Sequence, residues 1–158
     1  MYNRKVGFTI GKFAPLHKGH QFLIETALKE MDEVYVVIYE TDIININIEQ
    51  RAQWIKQLYP KVNIIYAYNS PKKYGLDKES VEIQMNYLSK LIKGVPVTHF
   101  YSSELYGEKV AEYLKIENRL VDLERKNIPI SATLIRKDYL KESKYIEKFI
   151  YSDIIKKN

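Results

Sequence analysis

Short runs rich in Val, Ile, Tyr and Phe alternate along this 158-residue chain with longer segments whose apolar residues recur every three and four positions. That alternation is the pattern of βαβ units, because parallel neighbours in a sheet need a long crossover, usually a helix. Five strands are predicted: Lys5 to Ile10, Glu33 to Tyr39, Val62 to Ala67, Thr98 to Tyr101 and Arg119 to Val121. Between them, His20, Leu23, Ile24, Ala27, Leu28 and Met31 stripe a first helix, and Ile48, Ala52, Ile55 and Leu58 a second. Val81, Met85, Leu88 and Leu91 mark a third, and Val110, Ala111 and Leu114 a short fourth. Crossovers of one hand then give an open three-layer α/β sandwich on a parallel sheet. After Val121 a polar connection ends at Pro129. Ser131 reads as a helix N-cap, with helical spacing from there to the C-terminus. Residues 137–158 carry 6 Lys against 4 acids, together with Tyr145, Ile146, Phe149, Ile150, Ile154 and Ile155, the composition of an amphipathic appendage. The expected organisation is one domain over 1–158, with a core at 5–136 and a helical extension at 137–158.

Composition removes several classes of function. The chain has no Cys, so a disulfide framework, a thiolate metal site and a cysteine nucleophile are excluded, and a reducing cytoplasm is the expected compartment. The longest apolar run, Val34 to Tyr39, is six residues, so neither a membrane span nor a signal peptide is expected. The net charge of +5 favours anionic ligands and suits a nucleotide as well as nucleic acid.

The stretch Gly11-Lys12-Phe13-Ala14-Pro15-Leu16-His17-Lys18-Gly19-His20 lies between the first strand and the first helix. In an open α/β sheet, the crevice beyond the carboxyl end of that strand is where ligands bind. A helix N-terminus there presents unpaired N–H groups to phosphate, Gly11 and Gly19 let backbone approach, and two His can donate to phosphoryl oxygens. Either His alone has a bland reading as a satisfied or surface residue, and the glycines as turn formers. Near the other end, Ile130-Ser131-Ala132-Thr133-Leu134-Ile135-Arg136 offers hydroxyls, first-turn N–H groups and a planar guanidinium for phosphate. The competing reading is a capped helix with an exposed Arg.

The first stretch resembles the GxFxPxHxGH signature of the nucleotidylyltransferase superfamily at Gly11, Phe13, Pro15, His17, Gly19 and His20. The second resembles its ISxTxIR signature. Lys12, Arg51 with Trp54, Tyr101-Ser102-Ser103-Glu104, Tyr106-Gly107 and Asp122 with Arg125 are similar to one subgroup. That subgroup is the nicotinamide mononucleotide adenylyltransferase domain of bacterial bifunctional NAD-biosynthesis regulators.

The resemblance implies a Rossmann-like fold and in-line attack of an acceptor phosphate on the α-phosphorus of ATP, with pyrophosphate leaving. His17, His20, Lys12 and Arg136 would be catalytic. Gly11, Phe13, Gly19, Ser102, Ser103, Glu104, Ile130, Ser131 and Thr133 would form the ATP site, with Ser131, Thr133 and Arg136 on the leaving pyrophosphate. Mg²⁺ would be held mainly through ATP phosphates, without a protein cage. Arg51 would meet the acceptor phosphate, or be an exposed surface Arg. Trp54 would stack on a base or, as read here, fill the core beside Ile55 and Leu58. The subgroup's aromatic loop after the third strand is reduced here to Tyr68 and Tyr74, which leaves those two to stack the acceptor.

Two other readings stand beside nicotinamide mononucleotide adenylylation. One is a cytidylyltransferase acting on a phosphorylated alcohol. The other is a nucleotide- or RNA-binding module without turnover, although nucleic acid is not the expected partner. The tail isoleucines permit a homo-oligomer.

Overall fold

The computed structural model describes residues 4–72, 75–104, 106–122 and 125–157. Five strands alternate with helices: β1 (Val6–Gly11), α1 (Lys18–Glu30), β2 (Glu33–Tyr39), α2 (Ile48–Leu58), β3 (Asn63–Ala67), α3 (Lys78–Leu91), β4 (His99–Ser102), α4 (Tyr106–Leu114), β5 (Glu117–Leu120), α5 (Ala132–Lys137) and α6 (Lys148–Lys157). The strands form one sheet in the order β3-β2-β1-β4-β5, and every pairing is parallel. The chain moves outward from β1 through β2 to β3, then returns to the other side of β1 for β4 and β5. The order therefore reverses between β1 and β4, and the carboxyl end of β1 opens on the switch point.

The two faces carry separate cores. Val34, Val36 and Ile38 of β2 pack with Leu23 and Ile24 of α1 and with Ala52, Trp54 and Ile55 of α2. On the opposite face, Phe8 of β1, Val37 of β2 and Phe100 of β4 pack with Met85 and Leu88 of α3 and Val110 of α4. The period-two alternation along β2 feeds both layers, as a strand buried on both faces must. Among the described residues, no helix is long and apolar enough to cross a membrane.

Two expectations are corrected. The fifth strand starts at Glu117 rather than Arg119 and ends at Leu120, so Val121 leaves the sheet and packs in the core. The spacing after Ser131 is not one helix: α5 ends at Lys137, a 3₁₀ turn follows at Ser143–Tyr145, and α6 begins at Lys148. Asp138 causes the break, because its backbone is extended and its carboxylate accepts from the Lys141 N–H at 3.1 Å, starting a new turn. Ser131 is the N-cap of α5, its hydroxyl accepting from the Leu134 N–H.

Candidate active site

The loop from β1 into α1 is built around a reciprocal cap made by two histidines. His17 is the N-cap of α1, and its Nδ1 accepts from the N–H groups of Gly19 at 3.0 Å and His20 at 3.3 Å. Nδ1 of His20 accepts in return from the His17 N–H at 3.2 Å. With both Nδ1 atoms accepting, each neutral imidazole carries its proton on Nε2. The rings stack with centroids 3.7 Å apart, and Phe13 meets His20 edge-on at 4.8 Å. A Cβ on Gly19 would lie 2.8 Å from Cε1 of His17, which explains why the position between the histidines is glycine. Phe13 sits at φ 51°, a left-handed conformation held by burial of its ring.

Both imidazoles are neutral at neutral pH. Burial, reinforced by the positive charge of Arg125, lowers the pKa of His17 to about 3. His20 is also held well below the ordinary value, by burial, then His17, then Arg125. The consequence for stability has a definite sign. Between about pH 6.5 and the folded value near 3 the unfolded chain holds the extra proton, so stability is complete above that window and falls as pH drops through it. His17 alone contributes a loss of about 2 kcal/mol between about pH 7 and about pH 5. Urea unfolding at the two pH values checks this: His17→Gln is expected to lose that much less than the wild type, and equal losses would remove the assignment.

The second motif folds onto the first. Arg136 Nη1 donates to the Ala14 carbonyl at 2.7 Å, and Nη2 donates to Thr133 Oγ1 at 3.4 Å, so a guanidinium from α5 closes on the loop before α1. The cavity between them, about 510 Å³, is lined by Gly11, Lys12, Phe13, His17, Gly19, His20, Ser102, Ser103, Glu104, Arg125, Ser131, Thr133 and Arg136, among others. Ile130 is the exception among the residues expected there. Its side chain is in the core and its carbonyl accepts from Arg125 Nη1 at 2.8 Å.

Arg125, named above only within the subgroup resemblance, lines the same cavity. Its backbone and that of Asp122 are both left-handed, and the Asp122 carboxylate accepts from the N–H groups of Asn127 and Ile128 at 3.0 and 2.9 Å. Arg125 Nη2 lies 3.9 Å from the Glu104 carboxylate, which lines the cavity too. The only available signal was the Asp-x-x-Arg spacing ahead of the second motif. Opposite it, α4 runs against the end of β4 so closely that a Cβ on Gly107 would lie 2.9 Å from that of Ser102. Ser102 Oγ accepts from the Glu104 N–H at 2.9 Å, turning the Ser103–Glu104 backbone toward the cavity.

A second hollow, about 580 Å³, shares Ile10, Gly11, Lys12, Glu104 and Tyr106 with the first and is completed by Tyr39, Gly75, Leu76, Gln84 and Met85. The expected acceptor residues fall elsewhere. Arg51 is 1% exposed: Nε donates to the Ile46 carbonyl at 3.1 Å, and Nη1 donates to Tyr39 O at 3.0 Å and to Lys12 O. It staples the Lys12 loop to the end of β2 and lines neither hollow. Tyr68 also lines neither: its hydroxyl donates to Glu49 at 2.8 Å and its ring stacks on Tyr66. The aromatic rings that do face the second hollow are Tyr39 and Tyr106, while Tyr74 lies outside the described residues. Trp54 is in the core, as expected, and its indole N–H donates to Asp153 of α6 at 2.8 Å.

With this geometry in place, residues 8–133 match the family model of the citrate lyase ligase C-terminal domain. The chain belongs to this family. It is a nucleotidyltransferase-like domain, and the relation to NAD-biosynthesis regulators expected from the motifs holds. The domain is 30% identical over 161 residues to the trifunctional NAD biosynthesis/regulator protein NadR of Salmonella typhimurium, over 90% of this chain and 39% of that protein. It is 24% identical over 142 residues to the phosphopantetheine adenylyltransferase of Fusobacterium nucleatum subsp. nucleatum, over 84% of this chain and 81% of that one. The crystal structure of a NadR protein in complex with NAD and AMP-PNP shows the same fold, with a TM-score of 0.63 at 24% identity over 91% of this chain and 45% of that one. This nucleotidyltransferase domain thus spans less than half the length of the NadR proteins it matches.

Proposed function

We propose that this nucleotidyltransferase domain moves AMP from ATP to the phosphate of a small acceptor, nicotinamide mononucleotide, giving NAD and pyrophosphate. One observation carries the reading: the cationic cavity holding both motifs and the more apolar second hollow adjoin, sharing Ile10, Gly11, Lys12, Glu104 and Tyr106 in their linings. A triphosphate in the first would meet an acceptor phosphate from the second at Lys12. An acceptor oxygen attacks the α-phosphorus, the bond from that phosphorus to the αβ bridging oxygen breaks, and the electron pair leaves with pyrophosphate.

No protein nucleophile is required, so catalysis is positioning and charge stabilisation. His17 and His20 donate from Nε2–H without a net charge of their own. Lys12, Arg125 and Arg136 supply the positive charge, with Ser131 and Thr133 beside the leaving group. Magnesium carried on the phosphates neutralises charge when bound. Glu104 is the one carboxylate lining the cavity among the described residues, and a donor set of one carboxylate plus phosphates suits that ion. Tyr39 and Tyr106 offer aromatic faces for the acceptor ring.

Similarity to NadR supports the pyridine acceptor. Similarity along most of a phosphopantetheine adenylyltransferase supports a second one, whose flexible arm would suit Ile10, Leu76 and Met85. Incubation with ATP, Mg²⁺ and each acceptor in turn separates them. Pyrophosphate and NAD are expected with nicotinamide mononucleotide. Pyrophosphate with phosphopantetheine alone would replace the acceptor, and turnover with CTP but not ATP would overturn the adenylyl assignment.

A further inference from the structure

Among the described residues, nothing after Arg136 lines either hollow, yet the C-terminal extension is tied to both helices that hold the site. Lys18 is the first residue of α1, between the two capping histidines. A cation at a helix N-terminus opposes the dipole, and a phosphate in the cavity would be one anion able to offset it. The Lys18 ammonium instead pairs with the Glu147 carboxylate and lines an outer groove with Gln21, Phe22, Ile128 and Tyr145, away from the cavity.

From Glu147 the chain enters α6, whose buried Ile150 and Ile154, with Ile146 just before, join the core that also holds Leu23 and Ile24 of α1. Farther along, Asp153 accepts from the Trp54 indole, and the Lys157 carbonyl accepts from the Asn45 side-chain amide at 2.9 Å. Trp54 lies three residues beyond Arg51 on α2, and Arg51 holds the Lys12 carbonyl. One end of α6 is therefore fastened to the first turn of α1, and its later part to the helix that fixes Lys12.

We infer that α6 is a brace for the triphosphate site, and that Glu147 is a positioning residue: through Lys18 it sets the first turn of α1 and so the places of the two Nε2–H donors. The inference rests on the adenylyl-transfer reading for its kinetic consequence, but not for its structural one. A half-buried ion pair that still meets solvent contributes little to stability, whereas a displacement of about 1 Å at reacting groups costs up to about a hundredfold in rate. Glu147→Gln is therefore expected to melt close to the wild type, to lower kcat about tenfold with the KM for ATP little changed, and to shift the His17 and His20 imidazole resonances.

Lys18→Met should give the same loss. The double variant should be no worse than either single one, because both act through one contact. Unshifted imidazole resonances in Glu147→Gln, or single losses that multiply in the double variant, overturn the brace. If the wild type turned over no acceptor, the transfer reading would fail, and the imidazole shifts with calorimetric affinity for a non-hydrolysable ATP analogue would still decide the brace.

Discussion

Replacing His20 by Ala is expected to lower kcat for adenylyl transfer by about 10²- to 10³-fold while leaving affinity for a non-hydrolysable ATP analogue within about threefold. The size follows from what the ring does. Its Nδ1 is occupied by the His17 N–H, so in the neutral ring only the Nε2 proton is left to meet charge as it builds on the phosphorus oxygens. The ring also lies between His17 and Phe13, so its loss frees a cap donor and removes the stacking partner of His17. The expected stability cost is that of a lost cap, about 1 kcal/mol, measurable by urea unfolding beside the kinetics. His20→Asn separates the two effects, since a side-chain carbonyl can take the cap bond without restoring the imidazole donor. It should recover stability and not rate. A rate within threefold of wild type for the Ala variant would leave the reaction without its proposed donor.

Much of the fold was legible because two layers of helix on a parallel sheet require apolar residues at periods the chain displays openly. The stripe from His20 to Met31 and the run from Val34 to Ile38 serve one structure each, and their elements appear where expected. The short fifth strand was displaced because Glu117-Asn118-Arg119-Leu120 is an edge strand. Its pairing with β4 is set by the neighbour, not by an apolar run of its own. The break in the C-terminal extension is not legible in sequence, because spacing registers burial and cannot register that Asp138 turns its carboxylate back on the backbone.

The site divides in the same way. The capping role of Ser131 and the placing of the paired histidines at the start of α1 are local matters and legible in sequence. The role of Arg51 is not, since whether an Arg grips phosphate or three backbone carbonyls depends on what the fold brings to it. The converse holds for Arg125. Its place in the cavity goes with left-handed backbone at Asp122 and Arg125 and with the Asp122 carboxylate bonds to Asn127 and Ile128, and the Asp-x-x-Arg spacing alone does not record those.

Arg136 should be the other residue whose loss is severe. Its fork has two duties that can be pulled apart: one nitrogen holds the Ala14 carbonyl, 122 positions earlier in the chain, and the rest of the group presents charge to the cavity beside Thr133. Arg136→Met removes both, and kcat/KM for ATP is expected to fall by about 10²- to 10³-fold, the size seen when a preorganised donor to developing charge is lost. The unpaired Ala14 carbonyl adds about 1 kcal/mol of destabilisation. Arg136→Lys restores a point charge without the planar fork, so it can serve the loop or the phosphate but not both with the same geometry. It should lie between the wild type and Met in rate. Pyrophosphate inhibition supplies the discriminating measurement. If the guanidinium faces the leaving group, Met should weaken inhibition by pyrophosphate more than it weakens binding of AMP, which lacks the β- and γ-phosphates. Equal weakening of the two would mean that Arg136 only ties the loops together, and the leaving-group charge would then rest on Arg125 and Lys12.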